Sequence, residues 1–271
     1  MMREANDPLD RLTRVLAPMQ RVAVAVSGGV DSLTLAEAAH RALDGGAGMY
    51  HATSPAVPEE ATRRTRALAA ERGWVLDVFD AGEFADADYR ANPVNRCFFC
   101  KTNLYGAIAR RTGAQILSGT NLDDLGDYRP GLEAARQHHV RHPFVEAGID
   151  KRTVRALAAR LGLGDVAVLP AAPCLSSRIE TGLPVEAPLL AMIHDAELLV
   201  GAALSPHTVR CRVRAAAVVI ELDAEALARL DPAQEAALQA DVAGLATAAG
   251  LRRPVGFATY RTGSAFLRER A

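Results

Sequence analysis

Aromatic residues are scarce in this chain, at 5% of 271 positions with a single tryptophan. Its core must therefore come from close-packed aliphatic side chains rather than ring stacks. An excess of charge of one sign is missing too. The 31 basic residues against 32 acidic ones leave a formal net charge of −1, so no overall field recruits nucleic acid or an anionic membrane. No apolar run reads as long enough to span a bilayer, and the first residues lack the charged-then-apolar pattern of a secretory leader. Only four cysteines occur. Without a secretory signal they argue for a reducing compartment, where clustered thiols are ligands or catalysts more often than disulfides. A cytoplasmic protein is the expectation. Two familiar phosphate-binding patterns are also absent, the Walker Gly-Lys-Ser/Thr and the dinucleotide Gly-x-Gly-x-x-Gly.

What is present is ordinary in bulk, with 49% hydrophobic and 23% charged residues. Such a chain can bury a core as one large domain or two smaller ones. The informative stretch is Val22-Ala-Val-Ala-Val-Ser27-Gly28-Gly29-Val30-Asp31-Ser32. Its apolar half reads as a buried parallel strand. A glycine turn follows, then a helix from Asp31 through Leu43. Strand, glycine turn and helix N-terminus together bind anions, because free N–H groups and the positive end of the helix dipole converge there. Gly28 and Gly29 permit close approach, while Ser27 and Ser32 add hydroxyls. Asp31 suits an anion site only with a divalent cation between carboxylate and phosphate, which points to a magnesium nucleotide. The hexad Ser-Gly-Gly-Val-Asp-Ser resembles the PP-loop of the ATP pyrophosphatases, which cleave ATP between its α- and β-phosphates to adenylylate a substrate.

Along the chain, an amphipathic helix up to Gln20 precedes this loop. Strands at 48–54 and 75–79 flank a helix from Glu59 to Arg72, and a further strand runs from Gln115 to Thr120. Alternation of strands and helices predicts an α/β, Rossmann-like parallel sheet with ligand at its carboxyl edge. Ala52 and Ser54 would then lie beside the nucleotide. Arg141 to Glu146 reads as an extended connector, and Asp150 opens a helix. Prolines 170, 173 and 184 mark a boundary, so a nucleotide domain over 1–170 and a smaller α/β domain over 171–271 are expected. The latter has a helix from Pro188 to Val200, an alternating stretch from Thr208 to Leu222, helices from Ala224 to Gly250, and a last strand from Val255 to Tyr260.

Four further constellations carry chemistry. Cys97-x-x-Cys100 fits a zinc, redox or iron–sulfur half-site, or two incidental core cysteines. Ser118-Gly119-Thr-Asn121-Leu-Asp123-Asp124 ends a strand; Gly119 allows close approach, and Asp123 or Asp124 would help hold magnesium, unless the loop merely caps a helix near Pro130. Pro173-Cys174-Leu-Ser-Ser-Arg178 places an exposed thiol near an arginine that favours thiolate, or is a plain surface loop. Arg210-x-Arg212-x-Arg214 sets three guanidiniums on one strand face, suited to phosphate or carboxylate or simply solvated. Cys211, in the same strand, reads as core.

Together with Asp127-Tyr-Arg-Pro-Gly131 and Tyr260-Arg-Thr-Gly-Ser264, these segments resemble the LarE family, over nearly the whole chain. The resemblance implies the PP-loop (adenine nucleotide alpha hydrolase-like) fold and an ATP-dependent sulfur transferase. That enzyme would adenylylate a carboxylate of a pyridinium dicarboxylate mononucleotide and convert it to a thiocarboxylate for a nickel-pincer nucleotide cofactor. ATP and Mg2+ are implied at Ser27 to Ser32, Gly119, Asn121 and Asp124, with Asp31 and Asp123 as magnesium ligands. Substrate phosphate is implied at Arg210 and Arg212, although the glycine expected after these arginines is missing. One type of family member sacrifices the sulfur of a single cysteine, matching Cys174, with Arg178 beside it. The other holds a [4Fe-4S] cluster on three cysteines, matching Cys97, Cys100 and Cys174, which is the type expected here. Sulfide or a sulfur donor would be a partner, in a homo-oligomer without nucleic acid or membrane. A tRNA thiolase, an amide-forming synthetase and a non-catalytic nucleotide sensor share the PP-loop. They explain the charge balance or the cysteines less well.

Overall fold

In the computed structural model, residues 7–126, 129–170 and 173–265 are described. They form two compact units: one runs to Asp86 and resumes at Asn95, and the other comprises Ala87–Val94 and the chain from Pro173 onward. A single cut does not describe this arrangement, because an internal segment leaves the first unit for the second.

The first unit contains α1 (Pro8–Leu16), β1 (Val22–Ala25), α2 (Val30–Ala42), β2 (Ala47–Thr53), α3 (Glu59–Arg72) and β3 (Val75–Asp80). After the excursion into α4 (Ala87–Arg90), it continues with α5 (Arg96–Ala109), β4 (Gln115–Leu117), α6 (Pro130–Gln137), α7 (Pro143–Glu146) and α8 (Lys151–Arg160). The strands pair in the order β3-β2-β1-β4, all parallel. Period-two alternation in β1 sorts its side chains into two cores. Val22 and Val24 pack with Leu12, Leu33 and Leu157 on one side, while Ala23 and Ala25 meet Tyr105 and Ile108 on the other. Burial on both faces explains the unbroken apolar run. Of the helix expected from Met1 to Gln20, residues 1–6 lie outside the described residues; α1 starts at Pro8, where the Asp7 carboxylate caps it and proline takes the first position.

The connector expected to be extended from Arg141 to Glu146 is mostly not. Arg141 makes a one-residue parallel bridge to Leu117, and Pro143 then starts the short helix α7. Proline disfavours helix at the preceding residue but suits a first helical position, which is how the motif misled.

The second unit has α4, α9 (Ala187–Leu204), β5 (Val209–Val213), β6 (Val218–Leu222), α10 (Ala224–Arg229), α11 (Pro232–Ala248) and β7 (Val255–Thr259). Its sheet runs β5-β6-β7, antiparallel then parallel. The alternating stretch from Thr208 is thus two strands around a turn closed by Arg214 N–H to Ala217 O, 2.9 Å. The 87–94 segment is bound here by Asn92, whose Nδ2 donates to Glu180 O and Leu183 O at 2.8 and 2.9 Å. Tyr89 Oη lies 2.7 Å from Ser176 Oγ. Contrary to the sequence reading, α9 is long and apolar enough, at 18 residues, to meet a membrane-span test by length and composition. Leu190, Met192, Ile193, Ala196 and Val200 on it are buried within the unit.

One buried carboxylate in the first unit ties α2 to both neighbouring helices. Glu37 accepts from Trp74 Nε1 at 3.0 Å and Arg41 Nε at 2.7 Å, with Arg72 Nη1 3.8 Å away. Arg41 Nη2 continues to Leu161 O, 2.7 Å, at the end of α8. Removing one member of such a set strands buried charge. Glu37→Ala is expected to lower stability by about 3 kcal/mol, read as a lower urea midpoint at unchanged slope.

Candidate functional site

The β1–α2 junction is a strand, a glycine turn and a helix N-terminus in succession. Ser27 N–H donates to Ser32 Oγ at 3.0 Å, the two hydroxyls are 3.1 Å apart, and Ser32 Oγ donates to Gly29 O at 3.1 Å. The turn is thereby closed by its own serines. Gly28 has φ +82°, and a Cβ there would lie 2.8 Å from Ala61 O, so this position excludes side chains twice over. No side chain caps α2 at Gly29. The N–H groups of its first turn, from Val30 to Ser32, have no partner within the helix and stand at the positive end of a 13-residue helix.

Asp31, in that first turn, is held from two sides. Asn121 Nδ2 donates to its Oδ1 at 3.1 Å, and Lys151 Nζ pairs with its Oδ2. Lys151 is the first residue of α8, and its N–H donates to Asp123 Oδ2 at 3.0 Å. Asp124 Oδ2 accepts from Asn121 N–H at 3.1 Å, and its Oδ1 pairs with Arg129 at 2.8 Å. The two aspartates expected to assist magnesium thus secure the loop after β4, and the cation beside Asp31 is an ammonium. Gly119 sits in that loop where a Cβ would be 2.9 Å from both Asp31 C and Ser32 N. The close approach it permits is to the start of α2. Asp127 and Tyr128 lie outside the described residues.

On the other flank, the first turns of α3 brace the loop. Arg64 Nη1 donates to Gly28 O at 2.8 Å. The buried His51 ring lies between Val26 O (2.8 Å from Nδ1) and Thr62 Oγ1 (2.9 Å from Nε2). Only an Nδ1–H can donate to a carbonyl, so Nε2 accepts the threonine proton. Burial pushes the His51 pKa below 6.5, and the nearby Arg66 adds to this. Ala52 pairs with Phe79 inside the sheet. Ser54 Oγ closes its own turn by accepting from Ala56 N–H at 3.2 Å. Both are at the carboxyl end of β2, beside β1.

Cys97 and Cys100 lie in the first five residues of α5, half-buried, at a spacing that puts both on one face. The polar lead-in therefore delivers the pair to a helix N-terminus. Among the described residues, no three His, Cys, Asp or Glu side chains are gathered as a metal would require.

In the second unit Cys174 is half-buried, at the edge of a turn fixed by Arg178. That guanidinium makes two bonds to Glu197, at 2.9 and 3.0 Å, and reaches Pro173 O and Cys174 O at 2.6 and 3.3 Å. It thus shapes the backbone that presents the thiol. The arginine strand is not three equivalent guanidiniums on an open face. Arg212 is buried and bonded to Glu221 Oε2 (2.9 Å) and Ser177 O (3.0 Å), while Arg214 meets Glu221 Oε1 at 2.9 Å. Arg210 lies 6.0 Å from the Tyr260 ring. Cys211 is fully buried, and desolvation drives its thiol pKa far up, as a core residue requires. Lys151, Arg64 and His51 escaped the sequence reading. An Asp-Lys pair at a helix start is visible, but its meeting with Asp31, 120 residues earlier, is not.

Two outcomes are expected. Gly119→Ala should separate the β4 loop from α2, costing about 1–3 kcal/mol in urea unfolding. For His51 the folded pKa lies below the unfolded value, so its neutral form is favoured in the fold. Stability is whole above pH 6.5 and falls as pH drops through the folded pKa. His51→Asn should flatten this slope in thermal melts taken across that range.

The chain matches no model of a known protein family. It is 36% identical over 196 residues to uncharacterized protein slr1717 of Synechocystis sp., covering 70% of this chain and 72% of that protein. Over 157 residues it is 31% identical to the pyridinium-3,5-bisthiocarboxylic acid mononucleotide synthase of Lactiplantibacillus plantarum, covering 56% of this chain and 57% of the synthase. Uncharacterized protein MJ0830 of Methanocaldococcus jannaschii is 27% identical over 110 residues, 39% of this chain and 42% of that protein. The chain belongs to the family of the Synechocystis protein, and its similarity to the Lactiplantibacillus synthase supports placing it with LarE.

Proposed function

We propose that the protein is an ATP-dependent sulfur transferase acting on a pyridinium dicarboxylate mononucleotide, in the synthesis of a nickel-pincer nucleotide cofactor. The observation that carries this reading is the uncapped start of α2, closed by Ser27 and Ser32 and faced by Lys151. It offers N–H donors and an ammonium to a departing pyrophosphate. The similarity to a named bisthiocarboxylate synthase supports the substrate class.

In this account a substrate carboxylate attacks the α-phosphorus of ATP, the α–β bridge breaks, and pyrophosphate leaves. The carboxylate is thereby joined to AMP, a good leaving group. The Cys174 thiolate then attacks the acyl carbon, the bond to AMP oxygen breaks, and a thioester forms. Loss of the cysteine Cα proton with cleavage of its Cβ–S bond releases the thiocarboxylate and leaves dehydroalanine. Lys151 and the first-turn N–H groups stabilise the leaving pyrophosphate. Arg178 and Glu197 fix the turn presenting Cys174.

Magnesium on Asp31 and Asp123 would shield phosphate charge, and a four-iron cluster on Cys97, Cys100 and Cys174 would relay sulfide. The carboxylates that would hold magnesium are engaged by Lys151 and Asn121. Cys97 and Cys100 provide half a cluster site on α5.

Incubation with ATP and the pyridinium dicarboxylate mononucleotide should yield AMP and pyrophosphate in step with thiocarboxylate, while Cys174 loses the mass of one H₂S. Cys174→Ala should still release pyrophosphate but form no thiocarboxylate. Lys151→Ala should slow pyrophosphate release roughly 100-fold. Pyrophosphate release indifferent to the pyridinium substrate would refute the substrate assignment. Iron and sulfide in anaerobically purified protein, with Cys174 intact after turnover, would replace the sacrificial step by a cluster relay.

A further inference from the structure

His142 has no role in the mechanism above, yet it stands at the same sheet edge. Arg141 pairs with β4 through its bridge to Leu117, with Arg141 N–H donating to Ile116 O and Ser118 N–H to Arg141 O. This carries the next residue, His142, out at the carboxyl end of the sheet beside Ser118. Its Nδ1 is 3.0 Å from Ser118 Oγ, and Ser118 Oγ is 2.9 Å from Thr120 Oγ1. The chain of three side chains runs along the same loop whose Gly119 and Asn121 touch the start of α2. Among the described residues, nothing hydrogen-bonds to Nε2.

Each hydroxyl has one proton to give, so the relay runs in one of two directions. When Thr120 donates to Ser118 and Ser118 to Nδ1, the imidazole carries its proton on Nε2, the nitrogen without a partner among the described residues. We propose that His142 is an anion-contact residue of this site, its Nε2–H donating to a phosphate or carboxylate of the bound ligand while Ser118 and Thr120 hold Nδ1. This inference rests on the phosphate-transfer reading of the β1–α2 loop. An arriving anion selects the direction that puts the proton on Nε2, or draws a second proton onto the ring.

The charged groups around His142 fit this role. Burial favours its neutral form; Glu146 on α7 and Asp124 in the β4 loop oppose that, and Lys101 on α5 adds to it. Glu146 is itself paired with Arg141, and Asp124 with Arg129. Burial thus favours the neutral ring, and the charge of a bound anion favours the protonated one.

The test uses the full chain with ¹⁵N-labelled histidine, titrated by NMR alone, with magnesium and α,β-methylene-ATP, or with pyridine-3,5-dicarboxylate. The His142 signal is assigned by its loss in His142→Gln. A rise in its pKa with the ATP analogue identifies phosphate as the anion; a rise with the dicarboxylate alone identifies carboxylate. In calorimetry His142→Ala should bind the identified ligand about tenfold more weakly. His142→Gln keeps a donor near the Nε2 position and should bind within about threefold of wild type, without its pH dependence. An analogue that binds wild type while the His142 pKa stays fixed overturns this inference and leaves the sulfur-transfer reading standing. An analogue that fails to bind wild type removes that reading, and this inference with it.

Discussion

The Asp31 carboxylate is the point on which the first unit's ligand edge depends. One oxygen takes Asn121 from the loop after β4, and the other takes Lys151 from the start of α8. Three segments distant in sequence are thereby pinned around one helix N-terminus. Such an arrangement fixes the start of α2 against both loops before anything binds there. Leu122 N–H to Ile149 O, 3.1 Å, adds a backbone tie between the same two loops. The absence of a side chain at Gly119 lets them close on α2.

The second unit solves a different problem with buried ion pairs. Arg178 with Glu197, and Arg212 with Glu221, are nearly inaccessible pairs whose leftover hydrogen-bonding groups go to backbone. Cys211 N–H also donates to Glu197, at 2.9 Å. The turn carrying Cys174 is therefore connected to the strand carrying the arginines by charge-assisted bonds that have few alternative geometries. Such pairs contribute less to net stability than to a single arrangement of the thiol. Arg178 acts on the backbone around Cys174, a positioning role that proximity in sequence alone would present as activation of sulfur.

Much of the β1–α2 junction was legible because its signals are local. A β-branched run, two glycines and a helix start within a dozen residues leave few options, and Ser27 to Ser32 fold as their pattern suggests. Gly119 and Asn121 were singled out for a ligand, and the contacts the fold gives them are to α2 itself. What could not be read was long-range pairing. Nothing near Lys151 names Asp31, and nothing in Ala87–Val94 says that its partners are Glu180 and Leu183. The alanine-rich turn between β5 and β6 lacks Gly, Asn or Pro, so one alternating stretch concealed a hairpin. Arg212, expected to hold substrate phosphate, is bonded to Glu221 on the strand that this hidden turn creates.

The central claim is that ATP is used to activate a carboxylate for sulfur. The most direct measurement follows oxygen: the pyridinium dicarboxylate mononucleotide, labelled with ¹⁸O in its carboxylates, is turned over with ATP, and the AMP formed is analysed by mass spectrometry. The account predicts one ¹⁸O per AMP, because carboxylate oxygen bonds to the α-phosphorus and stays there when sulfur displaces AMP. Unlabelled AMP, or ADP in its place, would contradict it.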